Sequence, residues 1–340
     1  MLNATGIGSL PGTRPSETAR MVAGELPDFA HVAELPARGP GADMIGRTTA
    51  MLAAVAPYFA VETTPAGWRF ADAPGRVMRL AQQWLVEDLD CIEEALVEFT
   101  GLVKQQVVGP WTLAAAIELR TGERAVRDYG ACLDLAGAVA EAAVVQVGQL
   151  RRRVPGATPI IQFDEPALPT VLAGGVTTAS GIATYRSVDP QRARELLAVG
   201  IDAVHAAGGL AVIHCCASNP PIDVMSIADM LSFDLTLPFD KDQVGELLDQ
   251  GTKMLFGVVD TAPRDAPSVQ FVGEAAARRV QNALERWGFD VSEVGERISL
   301  TPTCGLAHAS PAWIRTAYAA LEDAGRVLRE ERRGHDARPA

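Results

Sequence analysis

The sequence predicts an α/β protein folded as a single (β/α)8 barrel of the TIM type, with long loops over its C-terminal mouth. Three observations predict it. Short apolar, β-rich runs recur along the 340 residues, and each is followed by turn residues and then by a longer segment of helical period. Eight such units can be counted. With that many alternating strands and helices, a closed barrel is more economical than an open sheet.

The first unit is Ala4–Leu10 followed by Pro15–Gly24, where Pro15-Ser16-Glu17 is a helix-start signal. Ala30–Leu35 leads across a Gly-, Pro- and Ala-rich interruption at 36–74 to Gly75–Thr100. Lys104–Val108 precedes Ala125–Arg153. Pro159–Phe163 precedes Pro190–Ala207, which opens on Asp189-Pro190, a cap followed by a proline where its missing N–H costs nothing. Leu210–His214 with Ile222–Met230, Ser232–Leu237 with Lys241–Gln250, Met254–Val259 with Ser268–Trp287, and Arg297–Thr301 with Pro311–Glu331 complete the set. The interruption at 36–74 should lay a loop or short helices over one mouth, and Pro166–Tyr185, with Gly174-Gly175 and Gly181, should form a second cover. The barrel domain is expected to span 1–328. The charged tail at 329–340 is expected to be frayed and solvated.

Composition narrows the function classes. Hydrophobic residues make up 48% and charged residues 21%, as in globular proteins. A formal net charge of −12 lacks the basic footprint that a nucleic-acid partner requires. The N-terminus has no basic start followed by a long apolar stretch, and no uninterrupted apolar run approaches the length of a membrane span, so a cytoplasmic location without a membrane partner is expected. Five cysteines are too few, and odd in number, for a disulfide framework. Cys91 and Cys132 fall in helical patterns and read as packing residues.

Polar or reactive residues follow most of the strands, at the end where barrel enzymes place their sites. They are Ser9, Glu34, Gly109-Pro110-Trp111, Asp164-Glu165, His214 to Cys216, Asp240, Asp260 and Cys304. In an extended segment residues i and i+2 share a face, so His214 and Cys216 can both point into the mouth while Cys215 points away. Cys304, from the last strand, can supply a third ligand. Three nitrogen or sulfur ligands with an open position describe a catalytic Zn²⁺ able to lower the pKa of a substrate thiol. The plain alternatives are a buried histidine with core cysteines, or a cysteine nucleophile activated by His214. At Asp164-Glu165 a carboxylate can bind a substrate ammonium; the plain alternative is a loop carboxylate capping nearby amides. In Gly6-Ile7-Gly8-Ser9 the glycines let backbone and hydroxyl approach a substrate carboxylate.

Together, Gly6-Ile7-Gly8-Ser9-Leu10-Pro11, Gly109-Pro110-Trp111-Thr112, Gln162-Phe163-Asp164-Glu165-Pro166-Ala167-Leu168, His214-Cys215-Cys216 and Pro302-Thr303-Cys304-Gly305-Leu306 resemble, in that order, motifs of the catalytic C-terminal barrel of cobalamin-independent methionine synthase. The resemblance covers nearly the whole chain and implies zinc-dependent methyl transfer to the thiol of homocysteine. It makes His214, Cys216 and Cys304 the zinc ligands, and Ser9, Glu34 and Asp164, with Glu165 beside it, the substrate-binding residues. Asp164 and Asp260 are the candidate catalytic carboxylates, and Trp111 the candidate on the methyl-donor side.

Departures from the family pattern are also legible. The family's N-terminal barrel is missing, so the chain resembles a stand-alone core enzyme. The family's glutamate zinc ligand falls on Pro238, with Asp240 the nearest substitute, and a histidine near the seventh strand is replaced by Ala262. An aromatic residue used on the folate falls near Ala116, and residues 34–44 carry extra positions beyond the family's motif. The donor is therefore expected to be a methyl-folate or a methyl-corrinoid protein. The rival readings are a uroporphyrinogen-decarboxylase-like barrel, for which Arg38 and Arg47 are the few candidate cations, and a non-catalytic zinc- or thiol-binding relative.

Overall fold

The computed structural model describes residues 2–262 and 267–336. Its strands are β1 (Phe29–His31), β2 (Val61–Thr64), β3 (Gly67–Phe70), β4 (Leu102–Val108), β5 (Ile117–Glu118), β6 (Thr158–Asp164), β7 (Leu210–Cys215), β8 (Met230–Asp234), β9 (Lys253–Val259) and β10 (Ile298–Pro302). Seven form one parallel sheet in the order β1-β4-β6-β7-β8-β9-β10. Apart from β2, β3 and the short β5, each of these strands corresponds to an apolar run expected from the sequence, or to its immediate surroundings.

The first expected strand is not a ladder strand. Residues 2–10 run between the two edge strands through isolated parallel bridges, Ala4 to Leu300 and Ser9 to Glu34. The Leu2 and Thr5 amides donate to Ile298 and Leu300 carbonyls at 2.7 and 3.0 Å on one side. On the other, the Glu34 amide donates to Gly8 at 3.1 Å and the Leu10 amide to Glu34 at 2.8 Å. Local crowding explains the irregularity, because a Cβ on Gly6 would collide with the His31 ring and the Tyr318 hydroxyl. The segment must pass there as bare backbone.

Alternation along the strands sorts the side chains into two cores. Ile161, Phe163, Ile213, Leu231 and Phe256 face outward into the main core with the helices. Phe29, Ile160, Val212, Met230 and Leu255 form a separate buried cluster inside the curled sheet. Two positions further along the same faces lie His31, Gln162, His214 and Ser232. An apolar plug therefore closes the lower interior, and polar side chains occupy the space above it.

The interruption at 36–74 is more ordered than a loop. It holds Pro36–Arg38, the helix Met44–Val55 and the antiparallel pair β2–β3, which adds β5 as a small second sheet. Asp43 caps Met44–Val55 by accepting from the Ile45 and Gly46 amides at 3.1 and 3.0 Å. At 166–185 the chain forms the short helix Leu168–Leu172 and a Thr177–Thr184 bridge. The final helix runs from Pro311 to Asp336, so the tail expected to fray from Arg329 is helical to that point; residues 337–340 lie outside the described residues. Arg329 donates to the Leu2 carbonyl at 2.8 Å, which fastens this helix to the N-terminal segment.

One helix, Tyr129–Arg153, is long and apolar enough to cross a membrane by length and composition without being an uninterrupted apolar run. It packs instead on β4, β6 and the helix Pro190–Ala206, with Cys132, Leu135, Val139 and Val147 buried.

Candidate metal centre and substrate cavity

The end of β7 delivers the first two site residues by strand geometry alone. Cys215 turns outward into the core and is buried, which leaves His214 and Cys216 on the inner side. Nδ1 of His214 lies 2.9 Å from the Ser232 hydroxyl on β8, so Nε2 is the ring nitrogen left over. It is buried and makes no hydrogen bond of ordinary geometry among the described residues. Such an atom costs free energy unless something meets it.

Cys304 arrives from the turn after β10, where a Cβ on Gly305 would collide with Ser9 Oγ. Its sulfur lies 3.2 Å from that of Cys216, and the ligand atoms of His214, Cys216 and Cys304 all fall within 4.8 Å of one another. The hydrogen bond between the sulfurs pulls Cys304 down to about 4 and pushes Cys216 up. Ligands about 2.0–2.3 Å from a tetrahedral zinc stand roughly 3.3–3.8 Å apart. An unpartnered imidazole nitrogen and two thiols at this spacing fit zinc.

A cavity of about 80 Å³ beside this cluster is lined also by Ser9, Glu34, Met44, Gln106 and Asp164, with Ser9 against Gly305 and Asp164 in register with His214 on the neighbouring strand. Asp164, the last residue of β6, accepts from Gln162 Nε2 at 2.7 Å. Burial pushes its carboxyl up to about 6, against the opposing pull of His214 and Gln162. Glu34 is 5% exposed and is pushed up by burial to about 8, while Arg47, 4.0 Å away, opposes that shift. Arg47 and Arg38 both reach Asp88, at 3.9 and 2.7 Å. The cavity thus has a sulfur and imidazole wall and a carboxylate wall backed by buried arginines.

Several expected site residues are placed elsewhere. Glu165 turns away from the cavity and caps the helix Pro110–Ala116, accepting from the Trp111 and Thr112 amides at 2.9 and 2.8 Å and from the Thr112 hydroxyl at 2.7 Å. This is the capping role given above as the plain alternative. Trp111 is 1% exposed and donates to the Ala193 carbonyl at 3.0 Å, so its ring belongs to the core. The Asp260 side chain is exposed and lies 3.5 Å from Arg279, outside the cavity lining. Asp240 caps the helix Lys241–Asp249 through the Gln243 amide at 3.1 Å and is not among the clustered ligands; Pro238 accepts from the Asn219 amide at 2.7 Å.

Sequence reading missed Lys104 and the role of Gln162, and offered Arg47 only as a cation for the decarboxylase-like alternative. Its pairing with Glu34 carries no local signal, since Arg47 reaches the site only through the fold of 36–55. Lys104 and Gln162 had one: each is a polar residue inside an apolar strand, on the inward parity.

The chain belongs to the family described as cobalamin-independent synthase, catalytic domain, whose model matches residues 2–326. A B12-independent methionine synthase from Shewanella sp. W3-18-1 in complex with selenomethionine is similar in structure, with a TM-score of 0.61 at 14% identity over 97% of this chain and 98% of that one. Weaker likenesses are an exo-β-1,4-mannosidase from Opitutaceae bacterium strain TAV5 (TM-score 0.48, 11% identity, 98% and 60% covered) and a β-mannanase from the blue mussel Mytilus edulis (0.46, 8%, 95% and 92%). No curated protein matches the chain.

Proposed function

We propose that this protein is a zinc-dependent methyltransferase that converts homocysteine to methionine at the cavity between the two walls. The observation that carries this reading is the meeting of His214, Cys216 and Cys304 in one cavity with Asp164, Glu34 and Ser9, in a chain of the cobalamin-independent synthase family. The parallel sheet joined end to end by residues 2–10 is read as a complete eight-stave barrel, and 1–328 as one domain with a short charged tail. The five free cysteines suit a reducing, cytoplasmic setting.

In this reading the ammonium of homocysteine meets Asp164 and Glu34, and its carboxylate meets the Ser9 hydroxyl. A cation between two buried carboxylates would draw both toward their ionised forms and offset their burial. That anchoring places the substrate sulfur near His214, Cys216 and Cys304. Zinc held there by His214 Nε2 and the two cysteine sulfurs would lower the pKa of the incoming thiol and keep it as a nucleophilic thiolate at neutral pH. The S–CH₃ bond forms as the donor's bond to that methyl breaks, with the electron pair leaving on the donor. Methyl-folate needs a proton on its leaving nitrogen. Ala262 supplies none, which favours an already activated carrier such as a methyl-corrinoid protein. Arg38 and Arg47, the cations a decarboxylase-like site would need for its acidic substrate, are committed to Asp88 and Glu34.

Metal analysis joined to a methionine-formation assay tests the reading. One zinc per chain and methionine from homocysteine with either methyltetrahydrofolate or methylcobalamin are expected. A wild-type chain that binds no zinc would remove the basis of the assignment, and zinc without turnover on either donor would leave a thiol-binding relative.

A further inference from the structure

Below the cavity the barrel interior holds a buried lysine that the proposed chemistry does not use, its pKa lowered to about 7 by burial with Asp164 opposing the shift. Lys104, on β4, is fully buried. Its Nζ donates to the Gly6 and Ile7 carbonyls at 2.7 and 3.0 Å and to Oε1 of Gln162. Gln162 in turn donates from Nε2 to the Ile7 carbonyl at 2.9 Å and to Asp164 Oδ1 at 2.7 Å. Taking an ammonium out of water is expensive even when it is paired, and an apolar side chain just above an apolar plug would fold at lower cost. What the lysine contributes must lie in what its bonds hold in place.

Two things are held. A carboxamide has one accepting end and one donating end, whereas an ammonium only donates. By occupying Oε1, Lys104 forces Nε2 of Gln162 toward Asp164; the rotated amide would set oxygen against carboxylate oxygen. The second is the N-terminal segment, which meets its neighbours through isolated bridges rather than a ladder. Lys104 pins it at Gly6 and Ile7, two residues before Ser9. Both Ser9 and Asp164 line the cavity.

We propose that Lys104 is a positioning residue, which sets Asp164 through Gln162 and Ser9 through the Gly6 and Ile7 carbonyls, and so pre-arranges the groups that receive the amino-acid end of homocysteine. The inference rests on the homocysteine reading of the site. It assigns Lys104 no contact with substrate, metal or methyl donor.

The test is calorimetric binding of homocysteine to the zinc-loaded protein and to Lys104→Met, Gln162→Met and the double variant, with zinc content and melting temperature measured alongside. Each single substitution is expected to weaken homocysteine binding about tenfold, the scale of one charge-assisted hydrogen bond, while the full zinc complement stays bound. Because the two residues act through one chain of bonds, the double variant should bind no more weakly than the worse single one. Unchanged affinity in Gln162→Met, additive losses in the double variant, or loss of zinc in step with affinity would overturn the proposal. Should Lys104→Met not fold, Gln162→Met decides alone. A wild-type protein that holds zinc but binds no homocysteine would overturn the reading of the site and this inference with it; normal wild-type binding with insensitive variants would overturn the inference only.

Discussion

The two walls of the cavity are built by opposite means. The proposed metal wall takes two of its three candidate ligands from one tripeptide at the end of β7, where alternation aims them, and has a neighbouring hydroxyl, Ser232, to set the imidazole. The carboxylate wall draws on separate stretches of chain: Glu34 after β1, Arg38 in Pro36–Arg38, Arg47 in Met44–Val55, and Asp88 in Arg76–Ala95. The difference follows from electrostatics. A carboxylate in a buried site must be compensated by nearby cations or protonated, whereas the proposed metal would itself compensate the imidazole and sulfur group. The chain therefore supplies compensation from wherever the fold brings it.

The sharpest way to break this contrast is to remove one metal ligand. Cys304→Ser or Cys216→Ser should strip most of the zinc and abolish methionine formation, with the melting temperature of the metal-free protein little changed, because neither thiol supports the fold. Zinc analysis beside thermal unfolding checks it. Unchanged zinc in both variants would mean that these sulfurs are not ligands.

Arg47→Met attacks the other wall and should behave in reverse. Breaking a buried ion pair by removing one partner typically costs about 3–5 kcal/mol. Chemical denaturation should show a loss of that order while the refolded protein still takes up zinc. A stability within experimental error of wild type would mean that Glu34 and Asp88 do not depend on the guanidinium.

That asymmetry also decides how much the sequence could disclose. The strands and the ligand triplet were legible because both depend on spacing: an apolar run makes a strand, and His214-x-Cys216 puts two ligands on one face. Asp164 was legible as a strand end, but Glu165 beside it was not separable from it, since only the packing of Pro110–Ala116 shows that its carboxylate is consumed as a cap. Arg47 was legible as a cation but not as the partner of Glu34, which is thirteen residues away and meets it only through the ordered insert. Trp111 was misread for a related reason. Its position after β4 suggests the mouth, yet the helix it opens turns the indole outward onto Ala193.

Acidity offers a subtler probe of the carboxylate wall. Glu34 is raised from 4.5 to about 8, so between those values the folded protein keeps a proton that the unfolded chain releases. This contribution is full below about 4.5 and is lost as pH rises through 8. Asp164, raised to about 6, adds in the same direction at lower pH. The metal-free protein should therefore unfold more readily at pH 8 than at pH 5.5, by on the order of 2–3 kcal/mol, and Glu34→Gln should flatten the dependence. A pH profile identical in the two proteins would show that Glu34 is already ionised.

On the metal wall, the one outer contact can be weighed separately. Ser232→Ala removes the partner of His214 Nδ1 and should lower zinc affinity by about 10–100-fold without removing the site, as outer partners of metal-bound histidines generally do. Competition with a chelator measures it directly. An unchanged affinity would mean that packing alone sets the ring.

The smallest expected effect separates the walls from the scaffold around them. Asp240 follows β8 closely enough to have been a candidate fourth ligand, but its carboxylate is engaged at the start of Lys241–Asp249, where it accepts from the Gln243 amide. A carboxylate in that role stabilises a helix by satisfying an otherwise orphaned donor and by facing the positive end of the helix dipole. Asp240→Ala should therefore cost about 1 kcal/mol of stability and leave zinc content and homocysteine affinity at wild-type values. Asn at the same position, which caps equally well but binds metals poorly, should restore the stability. If Asp240→Ala instead released zinc while Asp240→Asn failed to recover it, the loop after β8 would have to move inward on metal binding, and the metal wall would have a fourth, mobile member.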